Sequence, residues 1–169
     1  MTSDVFGTLM ASVDQPLVVL TTAAEGERAG CLIGFHGQSS ITPEQYAVWL
    51  SKANHTYRVA LRAAHFALHF LTMEDLRVAE RFGSLSGDDA DKFAGLDIDH
   101  DEYDVPLLRA CPNRMLLDRI AMLDDGGDHV CLTTRVRSAD TGGAFVPLRL
   151  SSADHLEPGH TSEERAIQP

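Results

Sequence analysis

Short apolar segments separated by turn residues run through most of this sequence. Segments rich in β-branched and aromatic side chains are typical of strands, and tight turns between them favour hairpins. We predict strands at residues 16–24, 31–37, 46–51, 65–71, 114–123, 129–138 and 145–150. Strands linked mostly by hairpins favour a mainly β protein, an antiparallel barrel with a few helices, over a doubly wound parallel sheet.

Three segments have the period of a helix instead. The first ends before Gln15, the second begins at Asn54, and the third covers residues 73–83 behind a capping box of Thr72 and Asp75. The first helix has an apolar stripe of Phe6, Leu9, Met10 and Val13. The third has a stripe that we expect to be buried, formed by Met73, Leu76, Ala79 and Phe82. The acidic stretch that follows predicts a long loop around a helical turn at residues 91–94.

Length and charge limit the classes of function. The 169 residues suit one domain, which we place at 1–158, followed by a polar, flexible tail at 159–169. A net charge of −11 disfavours nucleic acids and anionic membranes as partners. Cys31, Cys111 and Cys131 lie far apart in apolar surroundings, which is typical of reduced thiols in a cytosol. With no long apolar run and no basic, apolar leader at the start, we expect a soluble, cytoplasmic protein.

The polar segment SKANHTY, residues 51–57, lies at a predicted strand-to-helix junction. The N–H groups and the dipole at a helix start favour an anion. Lys52 would supply charge, while Asn54 or Thr56 would hydrogen-bond either the anion or the N–H groups of the helix. The alternative is an ordinary helix cap with a solvated lysine, and His55 would then be a surface residue or a second donor.

A second polar segment, GFHGQSSITP, stands at the end of the strand that we expect beside this junction. Gly34 and Gly37 would let the backbone lie against a planar ring, with Gln38, Ser39 and Ser40 following. The alternative is a strand end relaxed by glycine.

Two further patterns suggest metal ligands, and we expect no metal site at either. Asp97, Asp99 and Asp101 begin like a calcium loop, but the glycine and the final glutamate of such a loop are missing. His65 and His69 have the spacing of ligands on a helix, yet they fall in a predicted strand, where they would lie too far apart.

The ordered set of motifs resembles a known family. GFHGQSSITP, LSKANHTY, HFALHFL, AERFG, DKFAG, PLL and GGDHVCLTTRV occur in the order typical of the flavin reductase-like family of FMN-binding split-barrel proteins, over about residues 5–158. The resemblance implies a six-stranded antiparallel split barrel of Greek-key type and a homodimer with FMN near its interface. Trp49 is then expected in the core or in that interface.

The resemblance also implies a set of site residues. The family's phosphate-binding segment matches Ser51, Lys52, Asn54 and Thr56, with Ser40 as a helper. The stretch that flanks the flavin ring matches Gly34, Phe35, His36, Gly37, Gln38 and Ser39. His129 falls on the GDH motif near the flavin or the nicotinamide, and it is the candidate catalytic residue. Lys92 and Phe93 match a motif in the substrate-side wall.

The activity that the resemblance implies is an NAD(P)H:flavin oxidoreductase of the FMN reductase type, with FAD as an alternative to FMN. The protein would align two rings and stabilise negative charge on the reduced flavin, through the backbone N–H groups of residues 36–38 and through His129. No GxGxxG motif is present, so NADH or NADPH would bind as a diffusing substrate. A monooxygenase is the partner that diffusing reduced flavin would supply.

Two departures from the family pattern concern the second substrate. Arg149 stands where many members have an aromatic residue, and the stretch His36–Gln38 replaces small hydroxyl residues. The alternatives are therefore a non-catalytic flavin-binding or storage protein and a split barrel that uses a deazaflavin or a haem-like ligand.

Overall fold

The computed structural model describes residues 2–84, 91–153 and 155, so the predicted tail at 159–169 lies outside the described residues. The helices are α1 (Thr2–Val13), α2 (His55–Ala60) and α3 (Leu76–Ser84), and a 3-10 turn covers Leu150–Ala153. The strands are β1 (Val18–Ala24), β2 (Glu27–Ile33), β3 (His36–Ser40), β4 (Gln45–Ser51), β5 (His65–Phe70), β6 (Ile98–His100), β7 (Pro106–Leu108), β8 (Arg114–Leu123) and β9 (His129–Asp140). None of the described helices is long and apolar enough to cross a membrane.

Seven of these strands form one curled antiparallel sheet in the order β2-β1-β5-β8-β9-β4-β3, and β6 pairs with β7 in a small second sheet. The prediction of a mainly β, antiparallel split barrel with a few helices is therefore confirmed, as a curled half-barrel sheet. The predicted number of six strands is wrong by one. The predicted strand at 31–37 divides after Ile33, and its second part, β3, turns away to pair with β4 at the edge of the sheet.

The strand predicted at 145–150 is also wrong. This segment makes only two isolated bridges, Pro16 with Arg149 and Thr72 with Pro147. Leu148 O accepts a hydrogen bond from the N–H of Leu17, and the N–H of Leu148 donates to Leu71 O, which ties the segment to the start of β1 and the end of β5. Each bridge contains a proline, Pro16 or Pro147, and proline has no N–H with which to continue a ladder.

Alternation along β1 and β5 creates apolar packing on both faces of the sheet. On one face, Val18, Leu20 and Phe66 join a core that α2 covers with Val59 and Ala60. The other face carries a second core under α3 and the loop after it, formed by Leu17, Val19, Leu71, Ala79, Phe82 and Phe93. Met73, expected in the buried stripe of α3, is exposed because it precedes the first turn of that helix.

Parts of the predicted acidic loop are regular. Residues 85–90 lie outside the described residues, but β6 and β7 form a short hairpin-like pair beyond them. Asp101, at the turn between β6 and β7, pairs with Arg137 at 3.0 Å, and Arg137 also contacts Asp118 and Glu102. These ion pairs hold the turn against β8 and β9.

Candidate functional site at the strand-to-helix junction

Asn54 closes the junction between β4 and α2. Its backbone is extended, with φ −84° and ψ 136°, and its Oδ1 accepts a hydrogen bond from the N–H of Thr56 at 2.9 Å. Ser51 Oγ accepts a weaker bond from the N–H of Ala53 at 3.3 Å. The side-chain carbonyl of Asn54 therefore serves as the helix cap, which leaves the side-chain nitrogen Nδ2 as the group that can donate to a ligand.

Lys52 is held at both its backbone and its side chain. Its N–H donates to Asp128 O at 2.9 Å, and its Nζ lies 2.8 Å from Asp124 Oδ1. Lys52, and next the N–H of Gly126, lower the pKa of Asp124. The lysine thus stands at the end of the strand as predicted, already facing a carboxylate from the β8–β9 turn.

Thr56 faces inward. It is buried, and it hydrogen-bonds the thiol of Cys31 on β2. Burial raises the pKa of Cys31, so this thiol is protonated and the bond is between neutral groups. Thr56 therefore anchors the start of α2 to β2.

His129 stands directly beside the junction. It opens β9, and Ser51 is its cross-strand partner on β4. Its Nδ1 lies 2.7 Å from Asp128 Oδ1, and its ring centroid lies 4.8 Å from that of Phe35 at an interplanar angle of 53°. Directly opposed residues of antiparallel strands share a face, so Ser51 and His129 lie on the same side of the sheet.

We call this side the outer face, and we define it by Phe35, Gly37, Trp49, Ser51 and His129. The backbone N–H of Trp49 donates to Phe35 O at 2.9 Å, and Gly37 opposes Ala47 on β4. Trp49 is partly exposed here rather than in the core, which leaves the interface as the remaining prediction for it.

The edge strand β3 leaves space on the outer face. A Cβ built on Gly37 meets nothing within 4 Å, and one on Gly34 meets only Leu17 Cδ2 at 3.9 Å. Gln38 and Ser39 are exposed, and Ser40 is half-buried. Since β3 ends the sheet, one side of its backbone has no neighbouring strand among the described residues.

His36 points to the other side of β3, because side chains alternate along a strand. Its Nε2 lies 2.8 Å from Pro16 O and its Nδ1 lies 2.7 Å from Tyr46 Oη. A carbonyl can only accept, so Nε2 carries the proton and Nδ1 accepts from the tyrosine hydroxyl. Burial lowers the pKa of His36 and raises the pKa of Tyr46 to about 12. The His36 ring is thus a neutral structural bridge, and only its backbone can face a ligand at the edge.

Lys92 and Phe93 lie apart from His129, on the α3 side of the molecule. Lys92 is buried, and its Nζ donates to the carbonyls of Gly30 and Phe82 at 3.1 Å each. The Phe93 ring meets Phe82 edge-on at 5.4 Å and carries the guanidinium of Arg28 at 4.9 Å. Lys92 therefore stabilises the packing of this segment against β2.

A cavity of about 370 Å³ connects this segment to the start of α2. Three predicted residues line it, namely Thr56, Lys92 and Phe93. Arg28 and Asp91, which form an ion pair at 3.0 Å, stand at the same cavity. The structure thus divides most of the predicted residues into two groups: those of the outer face with the junction, and those of the cavity behind α2. Ser40 belongs to neither group, because it opposes Gln45 at the end of β4 away from Ser51.

Sequence reasoning missed two carboxylates at the candidate site, Asp124 and Asp128, which contact Lys52 and His129. Both belong to the turn DDGGD, which we predicted only as a connection. The sequence could have indicated these carboxylates. The turn directly precedes His129, so it must lie beside the end of the strand that pairs with β9.

A family model described as "Flavin reductase like domain" matches residues 10–149. The chain belongs to the flavin reductase-like family. The match covers most of the chain and includes every predicted site residue.

Solved structures have the same fold at low identity. An NADH:FAD oxidoreductase from Streptomyces globisporus C-1027 is 18% identical, with a TM-score of 0.76, over 90% of this chain and 92% of that one. Nitrilotriacetate monooxygenase component B from Mycobacterium thermoresistibile is 20% identical, with a TM-score of 0.71, over 85% of this chain and 80% of that one.

A protein described as an oxidoreductase, from Sinorhizobium meliloti 1021, is 20% identical, with a TM-score of 0.73 and 85% of this chain covered. The present chain spans about half, 49%, of the length of that protein.

Proposed function

We propose that this member of the flavin reductase-like family binds FMN on the outer face and transfers hydride from NADH or NADPH to flavin. The observation that carries the proposal is the cross-strand pairing of Ser51 with His129. These residues come from two motifs far apart in sequence, one expected at the flavin phosphate and one at the flavin or nicotinamide ring. FAD is the alternative flavin.

The residues at the junction fit the phosphate of a flavin. Lys52 supplies the positive charge, Ser51 supplies a hydroxyl donor, and the amide nitrogen of Asn54 completes the set. Ser40, predicted as a helper, opposes Gln45 at the other end of β4 and lies away from the junction. Asp124 is the competitor, because its carboxylate holds Lys52 at 2.8 Å. Thr56 contributes by anchoring the start of α2 to β2 through Cys31.

The edge strand fits a planar ring. Because Gly34 and Gly37 have no side chains, the surface above them is open to a ligand. The backbone from His36 to Gln38 runs along the sheet edge. Backbone N–H groups there would hydrogen-bond a ring that gains negative charge when reduced. The Phe35 ring borders the same surface. Gln38, two residues after His36 and opposite Tyr46, shares the side of His36 instead.

A bound flavin supplies the hydride-accepting chemistry, and the chain's task is to hold the donor beside it. His129 donates Nδ1–H to Asp128, which fixes the orientation of its ring. In the neutral ring Nε2 is then an acceptor, suited to the carboxamide N–H of a nicotinamide. The Phe35 ring beside His129 offers an apolar surface for the nicotinamide. Lys92 and Phe93 form a second wall, around the cavity behind α2.

The partner and the assembly follow from the same proposal. Reduced flavin that leaves an open outer face would supply a monooxygenase, a role consistent with the similarity to a nitrilotriacetate monooxygenase component B. The chain would act as a homodimer in a cytosol. The nicotinamide would be a diffusing co-substrate, and NADH and NADPH are both candidates.

A second candidate is a non-catalytic flavin-binding or storage protein, and a split barrel that depends on a deazaflavin is the other alternative. The observation that favours it is Arg149, which stands where an aromatic residue is expected and donates to Asp14 O at 3.1 Å. The Arg149 side chain thus holds the segment after α1, and it has no aromatic ring on which a second substrate could stack.

The first test is binding. Titrating the protein with FMN and with FAD, followed by quenching of flavin fluorescence, should show a site that Lys52→Ala weakens about tenfold, as expected for one charged hydrogen bond. Arg77→Ala, an exposed cation on α3, is the matched control and should leave the affinity unchanged. Equal affinities of Lys52→Ala and the unaltered chain would contradict the phosphate assignment.

A further inference from the structure

Two backbone N–H groups of the edge strand β3 point to its free side. On the paired side, the N–H of Trp49 donates to Phe35 O at 2.9 Å. Backbone groups of successive residues point to opposite sides of a strand, and the register is regular as far as Gln38, so Gly37 also faces β4. The N–H groups of His36 and Gln38 therefore point away from β4, toward the free edge of the sheet.

The pairing with β4 holds β3 less firmly than the strands inside the sheet are held. β3 has five residues and one neighbouring strand among the described residues, and its register shifts between Gln38 and Ser40. Segments with few protected backbone bonds open locally more easily than central strands. Donors that stabilise a developing charge act best when they are oriented beforehand, so this role requires a further restraint on β3.

The His36 ring provides such a restraint from the side opposite the outer face. Its Nε2 donates to Pro16 O at 2.8 Å, and the hydroxyl of Tyr46 donates to its Nδ1 at 2.7 Å. Pro16 precedes β1 and Tyr46 belongs to β4, so one ring ties β3 to two other parts of the chain. Burial lowers the pKa of His36, so the ring is neutral near pH 7 and keeps one donor and one acceptor.

The Tyr46 side of this bridge is itself fixed. The carbonyl of Tyr46 accepts a hydrogen bond from Thr134 Oγ1 at 2.8 Å, and Thr134 is buried. The Tyr46 ring meets Phe70 edge-on, with 6.0 Å between centroids. It lies nearly parallel to the His36 ring, at 5.8 Å and an interplanar angle of 25°. The hydroxyl that reaches His36 therefore has a defined position.

The Pro16 side is fixed by the segment near residue 150. The N–H of Leu17 donates to Leu148 O at 2.7 Å, and the N–H of Leu150 donates to Gln15 O at 2.9 Å. These two bonds hold the chain directly before and after Pro16, so its carbonyl cannot shift freely. The His36 ring is thus held between two rigid anchors.

We propose that His36 is a positioning residue for the flavin: held between Pro16 O and Tyr46 Oη, it orients the free-edge N–H groups of His36 and Gln38 toward a ring that gains negative charge on reduction. This inference rests on the proposed function and deepens it. Oriented donors stabilise the reduced ring more than the oxidised one. A single hydroxyl of serine or threonine at position 36 could not reach both anchors, which gives this departure from the family pattern a role.

Amide hydrogen exchange of the flavin-free protein tests the bridge alone. Tyr46→Phe removes one bond and keeps the ring, whereas His36→Ala removes both. In each variant the N–H of Gly37 should exchange about fivefold faster or more, with β1 and β5 unchanged. Tyr103→Phe, which loses a hydroxyl between β6 and β7, is the matched control and should behave like the unaltered chain. Unchanged exchange at Gly37 in His36→Ala overturns the proposal.

The affinities for oxidised and for reduced FMN, measured anaerobically, test the effect on the flavin. In His36→Ala the ratio of reduced to oxidised affinity should fall about tenfold, which lowers the two-electron potential of bound FMN by about 30 mV. His36→Gln, whose amide can still donate to Pro16 O, should recover part of this loss. Tyr46→Phe should lower the ratio by itself and should add nothing in the His36→Ala background, because it acts through His36.

Three results separate the possible failures. Equal losses of affinity for both forms of FMN in His36→Ala would show a merely structural residue and overturn the proposal. An additional effect of Tyr46→Phe in the His36→Ala background would overturn the bridge. An unaltered chain that binds no flavin would refute the proposed function and the flavin step with it, while faster exchange at Gly37 in the variants would still establish that the bridge orders β3.

Discussion

Lys52 Nζ and Asp124 Oδ1 lie 2.8 Å apart at the mouth of the strand-to-helix junction. The cation proposed for the FMN phosphate is therefore paired with a carboxylate of the same chain. An anion that binds Lys52 has to share the ammonium group with Asp124 or displace it, and the carboxylate repels the anion. The β8–β9 turn thus sets the affinity of the site as much as the junction does.

Asp124→Asn should raise the affinity for FMN. The amide keeps the shape of the side chain and removes both the competing charge and the repulsion. Exposed ion pairs are weak, so we expect a gain of a few-fold, measured by flavin fluorescence titration at low salt. Asp140→Asn, an exposed carboxylate at the far end of β9, is the control. An unchanged or weaker affinity in Asp124→Asn would show that Lys52 is not the phosphate ligand.

Gly37→Ala should weaken FMN binding without affecting the fold. A Cβ at Gly37 meets nothing within 4 Å, so the free energy of unfolding should stay within about 0.5 kcal/mol, while the methyl group occupies the proposed ring surface. Gly30→Ala is the contrasting variant, because its Cβ would stand 2.9 Å from Phe82 Cε1 and 3.2 Å from Leu20 O. It should lower the free energy of unfolding by about 1–3 kcal/mol. Urea unfolding and FMN titration of both variants check this, and normal FMN affinity in Gly37→Ala would refute the ring position.

Asn54→Ala should destabilise the protein through its helix cap. The lost hydrogen bond to the N–H of Thr56 is expected to cost about 1 kcal/mol. Asn54→Ser retains a capping oxygen and should recover most of that loss while it removes the amide donor. A thermal melt measures the stability of each variant, and an FMN titration measures its affinity. Reduced FMN affinity in Asn54→Ser, at near-normal stability, would assign the side-chain amide to the ligand. Normal affinity would restrict Asn54 to the cap.

His69 should make the fold sensitive to acid. It is buried, with Val19 O and the N–H of Leu108 as partners of its two ring nitrogens, and burial lowers its pKa from 6.5 to about 4. The folded state therefore favours the neutral ring. Stability should fall as the pH drops below about 6.5 and level off below about 4, a total of about 3 kcal/mol.

Urea unfolding between pH 7 and pH 5 measures this slope before most carboxylates titrate. His69→Gln should be less stable at pH 7 and should have a flatter dependence on pH over that interval. The same slope in both proteins would assign the acid sensitivity to other groups.

The sequence was sufficient for five of the strands and for the junction, because these depend on local patterns. Alternating apolar residues predicted β1, β4, β5, β8 and β9, and the polar segment 51–57 predicted the strand-to-helix change. Side-chain direction at β3 was not predicted. His36 turns inward because the chain bends between Ile33 and His36, and that bend decides which residues of the stretch face outward.

Long-range contacts account for the remaining differences. The apolar period of α1 is visible in the sequence, but nothing local to it tells whether the stripe meets the body of its own chain. Asp124 faces Lys52 only because β9 pairs with β4 in a particular register. Lys92 shows the same dependence, since its Nζ bonds two carbonyls from distant segments rather than standing at the outer face.

The most direct measurement is an anaerobic titration of the FMN-loaded protein with NADH and then with NADPH, following the absorbance of oxidised flavin. We expect rapid bleaching by at least one donor, slowed at least tenfold by His129→Ala with FMN affinity retained. FMN that binds at the site and stays oxidised with both donors would contradict the reductase function and favour the non-catalytic flavin-binding protein.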